Sequence, residues 1–376
     1  MKKTLLIFAL ILTILITFFS AYDVRGVEDL SYVIALGIDK SYSKDEPYSL
    51  TIQTAKPDSS ESGGTKIKTD IQTVDCNSFN LGLSMLNLEN EKTLNLSHCT
   101  AIIISEDLAK DGIETIINTI ANNIELRPTC NILISKEKTS EFLEVASNIE
   151  DISSKFYNSF INSAKTTSYI TTCEFSKFYS NLNYDIQEPV ALYSYIKDDS
   201  IETLGLAVFK DYKMIGRLSG LETICYNLLT NNFEQATIEV YNYQNPGLPI
   251  AINIEKSNNT KIKVKLEDNI PKIECNVSVE SKILTANKNY DFSTQENLKQ
   301  LEAEINLFLE KSISDFLYKT SREYNSDIIG FEGYFKKNFL TQDEIDKYNW
   351  QELYKNSEFT VKAQNQLISG FLFSKN

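Results

Sequence analysis

The sequence contains one histidine, His98, and Cys99 follows it directly. A cysteine activated by a neighbouring histidine is a common nucleophile, so this pair is the first candidate for chemistry. However, adjacent residues of an extended strand point to opposite faces and cannot easily share a proton. A single histidine also excludes metal sites that need several imidazoles. We therefore expect His98 to fix local backbone rather than to catalyse a reaction.

Carboxylates are the second candidate, because the chain has 51 Asp and Glu residues. Two carboxylates that face one cleft about 5–9.5 Å apart can hydrolyse a glycosidic bond. Adjacent acids occur at Glu28-Asp29, Glu106-Asp107 and Asp198-Asp199. Sequence neighbours seldom face one another, and negative charge is favoured in the first turn of a helix. We expect these pairs to be surface or helix-terminal charges, and we predict no catalytic residue.

The cysteines and glycines do not form a cofactor pattern. The six cysteines, at positions 76, 99, 130, 173, 225 and 275, never come closer than 23 residues. That spacing contains no local zinc pattern and is not typical of a disulfide framework. We expect buried cysteines, and only Cys99 and Cys130 begin two strands of one unit, where they could pair. No glycine-rich phosphate loop follows a strand, so we predict no cofactor and no metal.

The elements that carry these residues alternate between strands and helices. Residues 32–38 form a near-continuous apolar run, which is typical of a strand covered on both faces. The alternation at 48–54 and 67–73 predicts half-buried antiparallel strands. Residues 100–104, 106–121 and 131–134 follow the order strand, crossover helix, strand, which implies parallel pairing.

The second half of the chain is predicted in the same way. Strands at 204–210 and 213–218 flank a tight hairpin, and a capping box at 219–222 begins a helix. Further strands are predicted at 235–243, 250–256, 261–267, 272–284 and 358–368. Capping boxes at 293–296 and 341–344 each begin another helix. These patterns indicate an α/β to α+β fold with two or three domains, each a mixed β-sheet flanked by helices.

The N-terminal segment is typical of an exported protein. Lys2 and Lys3 precede an apolar run from Leu5 to Phe19, so the chain after it should lie outside the cytoplasm. The run is longer than the ~7–15 residues of a signal peptide core and slightly shorter than a spanning helix of ~17–25 residues. Phe18 and Phe19 are large residues at positions where signal peptidase needs small residues before its cleavage site. We favour an uncleaved membrane-anchor helix over a cleaved signal.

The domain boundaries follow from these patterns. Residues 1–21 form the signal or anchor segment, 22–200 an N-terminal domain of one or two lobes, and 201–376 a C-terminal domain. The net charge of -14 and the pI of about 4.8 argue against nucleic acid as a partner, because phosphate binding needs clustered cations.

A family resemblance begins immediately after the apolar run. The C subunits of the spore germinant receptors, the Ger(x)C family, open with a ten-residue segment that this chain matches without a gap at Asp23, Arg25, Glu28, Asp29 and Leu30. Tyr22 stands in place of a Trp. Ala21 lies where the family has its lipid-bearing cysteine, and alanine cannot carry a thioether-linked lipid. The apolar helix is the natural substitute for that anchor.

Further blocks resemble the family in the same order along the chain. They are 33–40, 96–109, 125–127, 205–211, 216–223 and 327–331 followed by Trp350. The resemblance implies a subunit in the spore inner membrane that faces outside the cytoplasm. It also implies two integral-membrane partners, the A and B subunits, and a role in germination. The membrane-proximal residues are the candidate contact with those partners, namely Tyr22, Arg25, Glu28, Asp29 and Leu30.

Three functions from different classes remain open. The first is the non-enzymatic receptor subunit. The second is a membrane-tethered, carboxylate-dependent cell-wall hydrolase, and the third is a solute-binding or adhesion module. A deep cleft with converging acids would favour the enzyme, and a closed interdomain cavity would favour the binder. Shallow surfaces with an apolar patch near the anchor would favour the receptor subunit.

Overall fold

The computed structural model describes residues 13, 30–43, 45–58, 66–90, 92–149, 157, 159, 162–163, 166–184, 187–241, 249–285 and 294–368. Most of the predicted anchor segment therefore lies outside the described residues. The strands are β1 Leu30–Lys40, β2 Tyr48–Asp58, β3 Lys66–Cys76, β4 Thr93–Asn95, β5 Ala101–Ser105, β6 Asn131–Ser135, β7 Val190–Lys197, β8 Ser200–Lys210, β9 Lys213–Leu218, β10 Ala236–Tyr241, β11 Pro249–Glu267, β12 Ile270–Thr285 and β13 Glu358–Leu367.

The helices alternate with these strands, as the sequence predicted. They are α1 Phe79–Glu89, α2 Glu106–Asp111, α3 Glu114–Ala121, α4 Thr139–Ile149, α5 Phe175–Asn183, α6 Gly220–Thr230, α7 Gln295–Tyr318, α8 Phe331–Lys336, α9 Gln342–Ile345 and α10 Trp350–Lys355. A π-helical turn, Lys319–Tyr324, continues α7.

The first sheet has the strand order β3-β2-β1-β5-β6-β7-β8-β9, and β4 also pairs with β1. Its centre is parallel, because β1, β5, β6 and β7 run in one direction. Both sides end in antiparallel hairpins. Every residue of β5 and β6 is buried, as expected for parallel strands covered on both faces. The predicted parallel pairing is confirmed.

The predicted crossover helix at 106–121 is wrong in one respect, because it is two helices. α2 ends at Asp111, and Gly112 follows with φ 128°. Glycine adopts positive φ without steric cost, so it ends helices readily. The chain then turns, and the N–H of Ile113 donates to the carbonyl of Tyr212 at 3.0 Å before α3 begins at Glu114.

The second sheet has the order β10-β11-β12-β13. Two strands predicted at 250–256 and 261–267 are one continuous strand, β11, whose register shifts beside β12. Such shifts are β-bulges, which bend a strand without ending it. The helix start predicted at Ser293 lies one residue later, because the hydroxyl of Thr294 accepts from the N–H of Asn297 at 3.2 Å.

The fold class of mixed sheets flanked by helices is confirmed. The predicted boundary at 200/201 falls within the first two residues of β8, which pairs with β7 in the first sheet. The division into domains 22–200 and 201–376 therefore stays a prediction. Among the residues that the structure describes, no helix is both long enough and apolar enough to cross a membrane.

Candidate functional site

Of the predicted contact residues, the structure describes Leu30. It begins β1 and pairs in parallel with Thr93 of β4. Tyr22, Arg25, Glu28 and Asp29 lie outside the described residues, and so does Ala21. The surroundings of Leu30 are therefore the described part of the predicted contact zone.

Leu30 lies at one defined edge of the first sheet. The parallel strands β1, β4, β5, β6 and β7 have their amino ends on the same side of the sheet. α1 ends at Glu89, shortly before β4 begins at Thr93, and residues 122–130 lead from α3 into β6. The end of α1 and the 122–130 connection must therefore lie on that side. We call Leu30 and residues 88–90, 92–98 and 122–127 the amino edge.

Hydrogen bonds tie the end of α1 and the 122–130 connection to the backbone of β4 and of the residue that follows it. The N–H of Leu94 donates to Asn87 Oδ1 at 2.9 Å. The N–H of Leu96 donates to Glu125 Oε2 at 3.3 Å, which ties the 122–130 connection to the residue that follows β4. A groove of about 560 Å³ lies between α1 and the 122–125 loop. Much of its lining is asparagine, including Asn122 and Asn123.

Two large apolar side chains project from the amino edge. Ile124 is 100% exposed, and Leu88 is 87% exposed. Sequence periodicity could not identify them, because α1 buries Phe79 and Leu86 and leaves Leu88 outside the helix interface. Both exposed side chains lie at the end of the sheet where β1 begins.

His98 and Cys99 do not form a catalytic pair. His98 is exposed, its Nδ1 lies 3.0 Å from the Ser97 hydroxyl, and its ring meets Tyr32 edge-on at a centroid distance of 4.5 Å. Cys99 is buried, and its Sγ donates to the carbonyl of Ala101 at 3.3 Å. The two side chains thus have separate surroundings. They lie in a turn rather than in the predicted strand, and the N–H of Cys99 donates to the carbonyl of Leu96 at 3.0 Å.

The predicted cysteine burial is confirmed, because all six cysteines are buried and free. Cys130 Sγ donates to the carbonyl oxygen of Cys99 at 2.9 Å. These two cysteines are therefore neighbours, although no disulfide joins them in this structure. In the part of the chain that the structure describes, no three His, Cys, Asp or Glu side chains are placed to hold a metal ion.

Of the acid pairs named above, Glu106-Asp107 and Asp198-Asp199 have structural roles, and Glu28-Asp29 lies outside the described residues. Glu106 accepts from the hydroxyl of Tyr193 at 2.7 Å and pairs with Lys110 at 2.5 Å. Burial opposes the charged form, but these two partners hold the pKa of Glu106 below its ordinary value. Asp198 and Asp199 have φ of 48° and 57° and form the turn between β7 and β8. Asp tolerates this left-handed conformation, which two-residue hairpins require.

A second cleft, of about 370 Å³, contains carboxyl groups that the sequence did not single out. Its lining includes Glu188, Asp211, Asp327 and Glu332. Asp327 is buried and accepts three hydrogen bonds at 2.9 Å, from the N–H groups of Gly330 and Glu332 and from Trp350 Nε1. Burial raises the pKa of Asp327, and these donors oppose the rise. Asp327 therefore joins the 327–332 loop to α10.

Glu188 is a second carboxyl of this cleft with a raised pKa. Its Oε2 accepts from the N–H of Asp211 at 3.0 Å. Burial raises the pKa of Glu188 to about 7, and the negative charges of Asp211 and Asp327 add to the rise. A carboxyl with such a pKa can exchange a proton near neutral pH. No pattern in the sequence identifies Glu188, because the cleft brings together residues more than 130 positions apart.

Comparisons with known proteins give matches over nearly the whole chain. The sequence model described as "Spore germination protein N-terminal domain" matches residues 23–194, and that described as "Spore germination B3/ GerAC like, C-terminal" matches residues 204–370. Spore germination protein KC of Bacillus subtilis is 23% identical over 381 residues, which cover 94% of this chain and 92% of that protein. Spore germination protein GerQC of Bacillus cereus is 23% identical over 290 residues, which cover 75% of this chain and 78% of that protein.

One solved structure shares the fold. It is described as "Crystal Structure of the GerBC protein" and superposes with a TM-score of 0.60 at 17% sequence identity. The alignment covers 89% of this chain and 98% of that chain. Together with the two family matches, this confirms the resemblance drawn from the sequence. The chain belongs to the GerAC-like family of spore germination proteins.

Proposed function

We propose that this chain is a non-enzymatic, membrane-anchored subunit of a nutrient germinant receptor that faces outside the cytoplasm of the spore inner membrane. The observation that carries the proposal is the pair of family matches, which span residues 23–194 and 204–370 in order. Spore germination is the role in the names of the relatives. The proposal extends that role to a defined place in a receptor.

The N-terminal sequence supports the anchoring. Two lysines precede the apolar run from Leu5 to Phe19, which favours a cytoplasmic N-terminus and an exported domain. Cys76 is the first cysteine, so no lipid-bearing cysteine follows the run. We expect the full chain to stay in the membrane fraction with its N-terminal segment retained and with no incorporated fatty acid. Release of a soluble chain whose N-terminus is Tyr22 would support a cleaved signal instead.

The proposed partners are two integral-membrane subunits of the A and B type. Tyr22, Arg25, Glu28, Asp29 and Leu30 are the proposed contact, because they follow the anchor at the height of a partner's outer loops. Leu30 begins β1 at the amino edge, where Leu88 and Ile124 are exposed. Exposed apolar side chains near the anchor favour a subunit that contacts membrane partners.

Co-purification tests this proposal. A tagged full chain, extracted from spores with mild detergent, should bring down two integral-membrane proteins in a constant ratio. Deletion of the chain should abolish germination with the nutrient of that receptor and leave germination by a receptor-independent trigger intact. A tagged chain that purifies alone from spores that germinate normally would overturn the proposal.

The acidic cleft favours a second candidate, a carboxylate-dependent hydrolase. Glu188 has a pKa of about 7 and shares the cleft with Asp211 and Glu332. Asp327 is less suited to proton transfer, because three donors already occupy it. Glu188→Gln separates the candidates, since a hydrolase would lose its activity and a receptor subunit would keep nutrient-triggered germination.

A further inference from the structure

We propose that the amino edge rests on the phospholipid surface, with the side chains of Leu88 and Ile124 inserted at the level of the headgroups and upper acyl chains. This inference rests on the membrane anchoring of the proposed function and adds the face of the domain that meets the bilayer. It assigns a lipid-binding role to two residues whose apolar side chains have no role in the core.

The exposure of the two side chains is the first observation. Among the described large apolar residues of the first sheet and its helices, Ile124 at 100% and Leu88 at 87% are the most exposed. Single exposed apolar residues are common and need no explanation. However, Leu88 lies in the last turn of α1, which the Leu94–Asn87 hydrogen bond ties to β4, and Ile124 lies beside Glu125, which accepts from Leu96 just after β4. Tyr184, 66% exposed, follows α5 at the same side of the sheet.

The position of this surface is the second observation. Ten residues, 20–29, separate the apolar run from Leu30, and they span at most about 35 Å when fully extended. Leu30 pairs with Thr93, which follows α1 and Leu88 by a short connection. The amino edge is therefore the end of the sheet to which the proposed anchor is joined. The opposite end of β1, near Tyr42, lies about 35 Å farther along the strand.

The charges of the amino edge are the third observation. Lys92 and Arg127 are exposed on the amino edge. Each cation near an anionic surface favours binding. Glu89 and Glu125, which are also exposed, equal these two cations in number, so apolar insertion rather than charge is the main attraction.

The shape of the patch favours lipid over a protein partner. Ile124 is fully exposed, so its own chain provides no walls around it. A protein partner would need a complementary pocket for each projecting side chain. A bilayer accepts an apolar side chain without such a pocket, to a depth of about 5–10 Å for interfacial elements. The asparagines that line the groove beside Ile124 suit the polar headgroup level.

Tryptophan fluorescence of the full chain in phospholipid vesicles tests the inference. Trp350 is the one tryptophan, and it is 6% exposed, so it gives a constant background. Leu88→Trp and Ile124→Trp place the reporters, and Tyr42→Trp is the matched control because Tyr42 is 82% exposed at the other end of β1. We expect a blue shift for both reporters and a loss of emission in vesicles whose phospholipids are brominated near the headgroup. The control should behave as the wild-type chain.

Each result has a defined meaning. If the chain floats with the vesicles and the reporters at 88 and 124 respond no more than the control, this inference is overturned and the anchoring stands. If the shift occurs only when other receptor subunits are reconstituted with the chain, a protein contact replaces the lipid contact. If the chain does not float with vesicles, both the inference and the proposed anchoring fail. Hydrogen exchange of the wild-type chain, with slower exchange at 88–92 and 122–127 in vesicles, gives a reading that needs no substitution.

Discussion

Asp39, at the end of β1, accepts two hydrogen bonds from the backbone N–H of Thr139, at 3.0 and 3.2 Å, and a third from the Thr139 hydroxyl. Thr139 begins α4, so this carboxylate caps a helix 100 residues away in the sequence. Gly37 permits the approach, because a Cβ at that position would collide with the Thr139 side chain. The Gly-Ile-Asp block that resembles the family is thus a docking site for α4.

Asp39→Ala should lower the free energy of unfolding by about 1–3 kcal/mol, because it leaves a buried N–H and a hydroxyl without their acceptor. Urea unfolding measures the loss. Asp45→Ala removes the same charge at an exposed position and should change stability by less than about 0.5 kcal/mol. Equal effects of the two substitutions would mean that the Asp39–Thr139 bonds do not stabilise the fold.

Glu188 should make stability depend on pH. Its folded pKa of about 7 is raised from the ordinary 4.5, so between these values the folded state holds a proton that the unfolded state has released. The stability from this proton is complete below about pH 4.5 and is lost as pH rises through about 7. The free energy of unfolding of Glu188→Gln, relative to that of the wild type, should therefore increase by about 2 kcal/mol when the pH is raised from about 5 to about 8. Thermal unfolding at both values measures the difference.

Glu323→Gln is the control for this pH dependence, because Glu323 is exposed. Its stability should follow that of the wild-type chain at both pH values. If Glu188→Gln also follows the wild type, the Glu188 carboxyl does not hold its proton in the folded state.

Three side chains of α7 should protect the exposed edge of strand β13 from pairing with other chains. Glu310, Asn306 and Glu302 accept from the N–H groups of Ala363, Asn365 and Leu367, at 3.0, 2.6 and 2.8 Å. Four residues of a helix rise about 6.0 Å and two residues of a strand about 6.6 Å, so the two spacings match. Replacing all three acceptors with alanine should free the edge, because an unpaired strand edge pairs with other chains.

Light scattering at increasing concentration measures this self-association. Lys299→Ala with Lys311→Ala alters exposed positions of the same helix and should leave the chain monodisperse. A triple variant that stays as monodisperse as this control would show that other features protect the edge.

Reversing two charges next to the anchor should weaken the receptor. Arg25→Glu with Glu28→Lys keeps the net charge and should reduce both co-purification of the membrane partners and nutrient-triggered germination, because like charges would then meet across the contact. Separate replacements of His98, Glu106 and Glu188 form the comparison set. If a well-folded acid variant lost germination while the double variant kept it, the result would favour a catalytic function over the non-enzymatic receptor subunit.

The sequence by itself determined the elements and the family. The run at 131–134 correctly predicted a strand beside β5, because burial on both faces selects consecutive apolar residues. The alternation at 48–54 also predicted a strand, but residues 50–54 of β2 are buried on both faces rather than half-buried. The capping boxes at Ser219 and Thr341 are confirmed, since each depends on contacts within one turn. The break at Gly112 was not predicted, because a lone glycine is also tolerated within a helix.

Only the tertiary structure decided which distant groups meet. Glu188 shares a cleft with Asp327, and Leu88 shares an edge with Ile124, although no short-range pattern connects either pair. Strand order and crossover connections set these distances, and they depend on the packing of whole layers rather than on local sequence. The residue types fixed what each group can do, while the fold fixed its neighbours, its burial and therefore its pKa and exposure.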